Sequence, residues 1–311
     1  MNLQCVDRVA FFGGTGFLGS SFTNYLIQNK ISLTLEVISR SSETSKNFVH
    51  RKCNVNHIDS LNNLPSYDIV IHGVSDSSRG PLMEPHEKIN NQLISTINIA
   101  EFCRHRNVKR IIFLSSGAVY GVNSGSSEDD GQHLYQIQRD RTAYGISKLL
   151  CELYLQSFCD AHGIELRILR CFSFGGRNIP VPSHYALSQF TSSALNFKTI
   201  AITGSGLDLR TFMHQDDFSF VLLNAVCCER FPDILNVGSS IPITIKELAN
   251  KIARLLNIDD EAVIIKDPRG QVYNYVPNVK RLMSTFPGRR WVSVDAIITD
   301  VIHAFGGSTK N

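Results

Sequence analysis

A glycine-rich segment near the start of the chain constrains the fold more than any other feature. Residues 13–19 read G-G-T-G-F-L-G and join a strand-like apolar run, Arg8–Phe12, to a stretch whose apolar residues recur at helical spacing. Glycines spaced as Gly13, Gly16 and Gly19 permit a tight turn, and the helix amino terminus behind them favours negative charge. The segment predicts a dinucleotide site, and a merely structural turn is the alternative. The residues expected to contact the dinucleotide are Gly13, Thr15, Gly16, Phe17, Leu18 and Gly19.

Short apolar runs then alternate with amphipathic stretches as far as Arg170, which predicts an α/β fold with a doubly wound parallel sheet. We expect a dinucleotide-binding domain in residues 1–174, joined by 210–238, and a smaller, mainly substrate-binding region in 175–311, with the site in the cleft between them. The predicted strands are Arg8–Phe12, Leu33–Ile38, Asp68–His72, Arg110–Leu114, Glu165–Leu169 and Ile234–Gly238. The predicted helices include Leu93–Arg104, Ser147–Phe158, Ala186–Leu195, Thr244–Leu256 and Val294–Ala304.

Composition narrows the classes of function. The net charge is +3, charged residues make up 19% of the chain, and no block of like charges occurs, so neither a nucleic acid nor a membrane surface is expected as a partner. Met1–Asp7 lacks the pattern of a signal peptide, and no apolar stretch is long enough to cross a bilayer. The eight cysteines are scattered and are interpreted as core thiols of a cytoplasmic protein, with no metal site.

The residues after the second predicted strand bear on the choice of cofactor. NAD-binding folds usually place Asp or Glu there to bind the ribose hydroxyls, but this chain has Ser39 and Arg40. A hydroxyl and a guanidinium can bind a 2′-phosphate that a carboxylate would repel. NADP(H) is therefore predicted. The alternative is NAD with Arg40 as a solvated surface residue.

Three side chains are candidates for the reaction centre. Tyr144 and Lys148 lie one turn apart on a predicted helix, where an ammonium would lower the phenol pKa from about 10. Tyr144 could then exchange a proton with a substrate hydroxyl near neutral pH. Ser116 ends a predicted parallel strand, where its hydroxyl could steady charge on the reacting oxygen, although a serine capping the strand is the alternative.

Several segments together resemble the extended short-chain dehydrogenases, specifically the nucleotide-sugar epimerase/dehydratase/reductase group with its Rossmann-type domain. The resemblance implies that Ser116, Tyr144 and Lys148 form the catalytic triad. It also implies that Tyr144 and Lys148 contact the cofactor and that Ser116 contacts the substrate. The segments that carry the resemblance are Gly13–Gly19, Ser115–Gly121, Tyr144–Lys148, Leu169–Gly175 and Thr203–Asp217.

The same resemblance implies binding roles for five further residues. Arg210 would contact the diphosphate of a nucleotide-diphosphate sugar, and Arg269 stands where the family often has a second phosphate-contacting arginine; a surface ion pair is the alternative for both. Asn54 and Val55 match the pair that holds the adenine, and Ser173 occupies a position near the substrate.

Departures from the family pattern restrict the reaction. The 4,6-dehydratases carry Asp-Glu where this chain has Gly117 and Ala118, so dehydration by that route is not expected. Ser173 replaces a common Asn, Gln92 replaces another, and Gly176 stands where relatives often have Pro. Residues 73–75 replace a Leu/Ala-rich run.

Two enzyme activities remain. In the first, NADPH reduces a 4-keto nucleotide sugar, with Tyr144 as proton donor and Ser116 polarising the carbonyl. In the second, a 4-epimerase retains bound NAD. A non-catalytic NADP-binding regulator is a third alternative, though such proteins usually lose the tyrosine or lysine. The Ser39-Arg40 pair favours the reductase, and the segment around Ser116 resembles synthases of surface-polysaccharide sugars.

The resemblance also implies a homodimer formed through helices at Leu93–Arg104 and Tyr144–Phe158. The polar stretch Asn123–Arg141 is interpreted either as a flap over the substrate or as a solvated loop.

Overall fold

The computed structural model describes residues 7–41, 47–75, 84–121, 142–181 and 185–309. The stretch Asn123–Arg141, interpreted as a flap or loop, lies outside these residues. The described residues fall into two compact units. The first contains 7–121, 142–171 and 219–236, and the second contains 172–218 and 237–309.

Thirteen strands and eight α-helices are formed by the described residues. The strands are β1 Arg8–Phe12, β2 Thr34–Ser39, β3 Val49–Lys52, β4 Ile69–His72, β5 Arg110–Ser116, β6 Glu165–Cys171, β7 Phe174–Gly175, β8 Ile200–Ile202, β9 Leu209–Thr211, β10 Met213–His214, β11 Ile234–Val237, β12 Pro242–Thr244 and β13 Val263–Ile265. The helices are α1 Phe17–Gln28, α2 Pro85–His105, α3 Ala143–His162, α4 Ala186–Phe197, α5 Gln215–Cys227, α6 Ile245–Leu255, α7 Lys280–Thr285 and α8 Val294–Ala304.

A seven-stranded sheet forms the first unit, in the order β11-β6-β5-β4-β1-β2-β3. The pairs from β6 through β3 are all parallel. Chain order reverses at β1, whose neighbours are β4 and β2, and ligands of such sheets bind outside the carboxyl ends of the strands at this switch. The predicted fold, a Rossmann-type doubly wound sheet, is confirmed.

Helices cover both faces of this sheet, and they bury the side chains of β1 on either side. Phe12 packs against Phe102 of α2 at 5.9 Å between ring centroids, and Phe11 packs against Phe22 of α1 at 6.1 Å. Every residue of β1 after Arg8 is buried. Near-continuous apolar runs of this kind are what a parallel sheet covered on both faces requires.

The second unit contains three small two-stranded sheets, β7–β10, β9–β12 and β8–β13. Helix α6 begins as predicted: Thr244 accepts a hydrogen bond from Glu247 N at 3.0 Å, and Glu247 accepts one from Thr244 N at 2.8 Å. This capping box satisfies two backbone donors at the helix start.

Seven cysteines are described, and all of them are free thiols. Five of the seven are buried, as expected for core thiols. No helix within the described part of the chain has the length and apolar composition that a membrane span needs.

Candidate functional site

The glycine loop is fixed by its contact with the end of β4. Gly13 has φ +82°, and its N–H donates to Ile38 O at 2.8 Å. A Cβ on Gly13 would lie 2.8 Å from the backbone carbonyl of Gly73, closer than real contacts allow. Glycine is therefore required at this position on two grounds, conformation and space.

Helix α1 starts directly behind the loop. Gly16 is its N-cap and provides no side-chain cap, and no acidic side chain lies in the first turn. A Cβ on Gly19 would lie 2.3 Å from Gly14 O, so the glycine lets the helix pack tightly on the loop. A helix amino terminus without a competing carboxylate is suited to bind the pyrophosphate of a dinucleotide.

The end of β2 offers no carboxylate to a ribose. Ser39 Oγ donates to Ser41 O at 2.7 Å, and Arg40 is exposed. The only acid of this strand, Glu36, is bound by Arg51 and accepts from Tyr67 Oη at 2.6 Å. Burial alone would raise the pKa of Glu36, but these hydrogen bonds bring it below its usual value. Glu36 is therefore an ionised structural anchor.

Asn54 and Val55 follow β3 in a loop held by side-chain amides. Asn54 Oδ1 accepts from Asn56 N at 3.3 Å, and Asn98 Nδ2 of α2 donates to Val55 O at 2.8 Å. Val55 is buried, whereas Asn54 is half-buried. The loop conformation is thus set before any ligand contacts it.

Tyr144 and Ser116 are brought together by a glycine. Thr142 caps α3 by accepting from Gly145 N at 3.2 Å, so Tyr144 lies in the first turn. A Cβ on Gly145 would lie only 2.3 Å from Ala118 O in the 3-10 helix Gly117–Tyr120. Because Gly145 has none, the start of α3 packs against the turn that follows Ser116.

The side chain of Tyr144 is half-buried, and burial raises its pKa. The hydroxyls of Ser75 and Ser116 oppose this shift but do not cancel it. The expectation that Lys148 lowers the Tyr144 pKa is therefore wrong for this arrangement. The physical reason is where the ammonium points: Lys148 Nζ donates to Leu114 O at 2.9 Å and lies 6.0 Å from the Tyr144 ring centroid.

Lys148 itself is strongly perturbed. Its side chain is buried, and its Nζ lies 4.9 Å from the ring centroid of Phe113. Burial lowers the pKa of Lys148 to about 8. His72, also buried, bonds Thr96 Oγ1 at 2.9 Å, and burial with the nearby Lys148 charge holds its pKa well below 6.5. Lys148 is thus a buried cation near the Tyr144 ring, and His72 close to it is a neutral imidazole.

A buried ion pair adjoins the catalytic segments. Glu152, one turn after Lys148 on α3, accepts from Arg170 Nη2 at 2.7 Å and from the Ser115 hydroxyl. Arg170 Nη1 donates to Tyr120 Oη at 2.8 Å. Both charged side chains are 1% exposed. Sequence reasoning missed this network, although the four-residue spacing of Lys148 and Glu152 was a visible signal.

Three of the four predicted substrate residues, Ser173, Arg210 and Arg269, lie in the second unit, and Ser116 lies in the first. Arg210 is half-buried, donates to Tyr273 O at 2.5 Å and lies 3.8 Å from Asp208, while burial lowers its pKa. Ser173 O accepts from Met213 N at 3.0 Å. Arg269 is exposed.

Comparison with known proteins defines the class. The pattern of the NAD dependent epimerase/dehydratase family matches residues 9–238. The chain belongs to this family, whose members act on nucleotide sugars with a nicotinamide cofactor.

Individual relatives are distant but cover most of the chain. A Methanocaldococcus jannaschii protein assigned as a UDP-glucose 4-epimerase is 27% identical over 280 residues, which span 88% of this chain and 90% of that protein. The structure of a Thermotoga maritima UDP-glucose 4-epimerase with UDP-glucose gives a TM-score of 0.80 at 20% identity, covering 96% and 98% of the two chains. The structure of a Streptomyces venezuelae dTDP-glucose 4,6-dehydratase with NAD bound gives a TM-score of 0.83 at 18% identity. The match covers 96% of this chain and 97% of that chain.

Proposed function

We propose that this protein reduces a 4-keto nucleotide-diphosphate sugar with NADPH. The observation that carries the proposal is the arrangement at the carboxyl end of β5. There the half-buried Tyr144 phenol lies against the Ser116 hydroxyl, with Gly117 and Ala118 in the positions next along the chain. A phenol and a hydroxyl can protonate and polarise a carbonyl group. Dehydration is not proposed, because Gly117 and Ala118 stand where the 4,6-dehydratases have Asp-Glu.

The side chains divide the chemistry between them. Ser116 donates a hydrogen bond to the C4 oxygen and polarises the carbonyl. Tyr144 gives its proton to that oxygen as the C4–O double bond becomes single. Lys148, with its pKa near 8, supplies a buried positive charge beneath the site. When bound, the reduced cofactor supplies the hydride and leaves oxidised.

The glycine loop would hold the pyrophosphate, and Asn54 with Val55 would contact the adenine. Ser39 and exposed Arg40 would bind the 2′-phosphate, since no carboxylate of β2 is available to repel it. Arg210 would contact the substrate diphosphate, with Ser173 and Arg269 as further contacts. We also propose that the protein works in the cytoplasm as a homodimer and supplies surface-polysaccharide synthesis.

A nucleotide-sugar 4-epimerase is the second candidate. It is favoured by the 27% identical relative assigned as a UDP-glucose 4-epimerase. The same three residues would serve, but the cofactor would be NAD and would stay bound through oxidation and re-reduction at one carbon.

Cofactor analysis separates the two candidates. Freshly purified protein is denatured, and the released nucleotide is identified and quantified; turnover with added NADPH and NADH is measured in parallel. The reductase predicts substoichiometric release and a requirement for added NADPH. Stoichiometric NAD with no response to NADPH would establish the epimerase instead.

A further inference from the structure

Ser75 lies three residues beyond the end of β4, next to the strand that carries Ser116. Strands β4 and β5 are parallel neighbours, and His72 pairs with Phe113. Three residues further along each segment come Ser75 and Ser116. Ser75 thus follows the carboxyl end of β4 and Ser116 is the last residue of β5, so both hydroxyl groups lie at the carboxyl ends of adjacent strands.

The short segment that carries Ser75 is held from two sides. Gln92 of α2, a buried residue, donates from Nε2 to Val74 O at 3.0 Å. On the other side Gly13 packs on the backbone of Gly73 and Val74, with room for no side chain. The position of Ser75 is consequently set by helix α2 and by the glycine loop together.

The Ser75 hydroxyl is buried and unused by the protein framework. Within the ranges that the structure describes, the Ser75 Oγ makes no hydrogen bond of acceptable geometry. It nevertheless lies beside the Tyr144 phenol, on which Ser75 and Ser116 act in the same direction. Ser116 is oriented by Ala118, whose N–H donates to the Ser116 Oγ at 3.1 Å.

We propose that Ser75 is a positioning residue for Tyr144, acting with Ser116 as a pair of hydroxyl donors to the phenolate oxygen. The inference rests on the proposed function, in which Tyr144 moves a proton. During reduction the Tyr144 O–H bond breaks, its proton bonds to the C4 oxygen, and the phenolate keeps the bonding pair. The two serine hydroxyls then donate hydrogen bonds to that phenolate and lose no proton.

The physical need for a second donor follows from burial. A phenolate in a half-buried site has lost part of its hydration, and Lys148 directs its ammonium at Leu114 O. The other titratable group that faces the phenol is Cys171 of β6, whose thiol has its pKa raised to about 12 by burial and so stays neutral. Hydroxyl donors therefore add short-range stabilisation of the anion to that of the nearby Lys148 charge, which lies 6.0 Å from the ring centroid.

The test compares Ser75→Ala, Ser75→Thr and a control, Ser95→Ala. Ser95 is also a buried hydroxyl, but its Oγ donates to Gln92 O at 2.8 Å. The titration of Tyr144 is followed as the tyrosinate absorbance of each protein minus that of its Tyr144→Phe counterpart, with circular dichroism recorded at each pH. This readout needs no substrate.

We expect Ser75→Ala to move the Tyr144 midpoint to higher pH and to lower kcat roughly tenfold at unchanged KM. Ser75→Thr should restore both, and the Ser95→Ala control should alter neither. An unmoved midpoint in Ser75→Ala, or a kcat loss that Ser75→Thr reproduces, overturns the inference. A fully active Tyr144→Phe protein would instead refute the proposed function.

Discussion

Lys148 and Arg40 carry the same charge in one structural unit, but Lys148 is 1% exposed and Arg40 lies on the surface. The lysine is held by Leu114 O and Phe113, so its electrostatics are set by the fold alone. Arg40 acquires a function only when an anion binds beside it. The arrangement at the proposed reaction centre is thus determined by packing, whereas the proposed role of Arg40 depends on a bound ligand.

The largest expected effect is at the buried centre. Replacing Tyr144 by Phe removes the proton donor without changing the ring, so kcat should fall about 10³-fold. The measurement is steady-state turnover of the 4-keto sugar nucleotide, with circular dichroism to show that the fold is retained. Full turnover in this variant would mean that the centre is not where packing places it.

The buried ion pair should respond differently from an exposed one. Glu152→Gln leaves Arg170 charged and unpaired in the interior, which should reduce the free energy of unfolding by about 3–5 kcal/mol. The control is Asp295→Asn, which breaks an exposed pair with Lys251 that spans 2.7 Å and should cost about 0–1 kcal/mol. Urea unfolding measures both, and equal losses would break the contrast between buried and exposed charge.

The charged Lys148 should lower the free energy of unfolding of the protein, and we expect it to be retained for its function. Its pKa of about 8 in the folded chain is below its ordinary 10.5, so the folded state binds fewer protons between these values. Stability therefore rises with pH across this window, and the cost is full below pH 8. Lys148→Met should be more stable at pH ~7 by up to about 3 kcal/mol, less the lost bond to Leu114 O.

Urea unfolding of both proteins across the pH range tests this prediction. The advantage of Lys148→Met should shrink from pH 8 upward and disappear above pH 10.5, because the wild-type lysine is then neutral in both states. A pH-independent difference would mean that Lys148 titrates normally.

The smallest effect is expected at the cofactor edge. Arg40→Ala should raise KM for NADPH about tenfold and leave KM for NADH unchanged, because only the 2′-phosphate contact is lost. Arg104→Ala, at an exposed cation of α2 paired with Glu101, is the control for loss of surface charge. An equal change for NADPH and NADH would show that Arg40 does not read the phosphate.

Local patterns were enough to predict the main parts of the fold, and they also gave Ser116, Tyr144 and Lys148 as the candidate triad. The glycine loop and the Tyr144–Lys148 spacing depend on neighbours within one turn, and the boundaries of β1 and α8 match the prediction. Helix α5 was missed, although Phe218, Val221 and Leu222 recur at helical spacing within it. The short strands of the second unit have two or three residues, too few for an alternating pattern to register.

What depends on distant contacts could not be predicted. The direction of the Lys148 ammonium is fixed by a carbonyl of β5, 34 positions away in the chain. Ser75 owes its position to Gln92 and Gly13, and neither contact has a signature in the sequence. The predicted direction of the Tyr144 pKa shift was wrong for this reason. The four-residue spacing revealed the charge of Lys148, but it could not reveal that burial raises the pKa of the phenol.

The central claim is net hydride transfer from NADPH to C4 of a nucleotide sugar, with Tyr144 as the acid. Its most direct test supplies NADPH carrying deuterium at the transferred position, together with a 4-keto sugar nucleotide, and examines the product by mass spectrometry and NMR. We expect one deuterium at C4 and one NADP⁺ formed per turnover. Product without deuterium, or a 4-epimer formed from a non-keto sugar nucleotide while NADPH is not consumed, would contradict it.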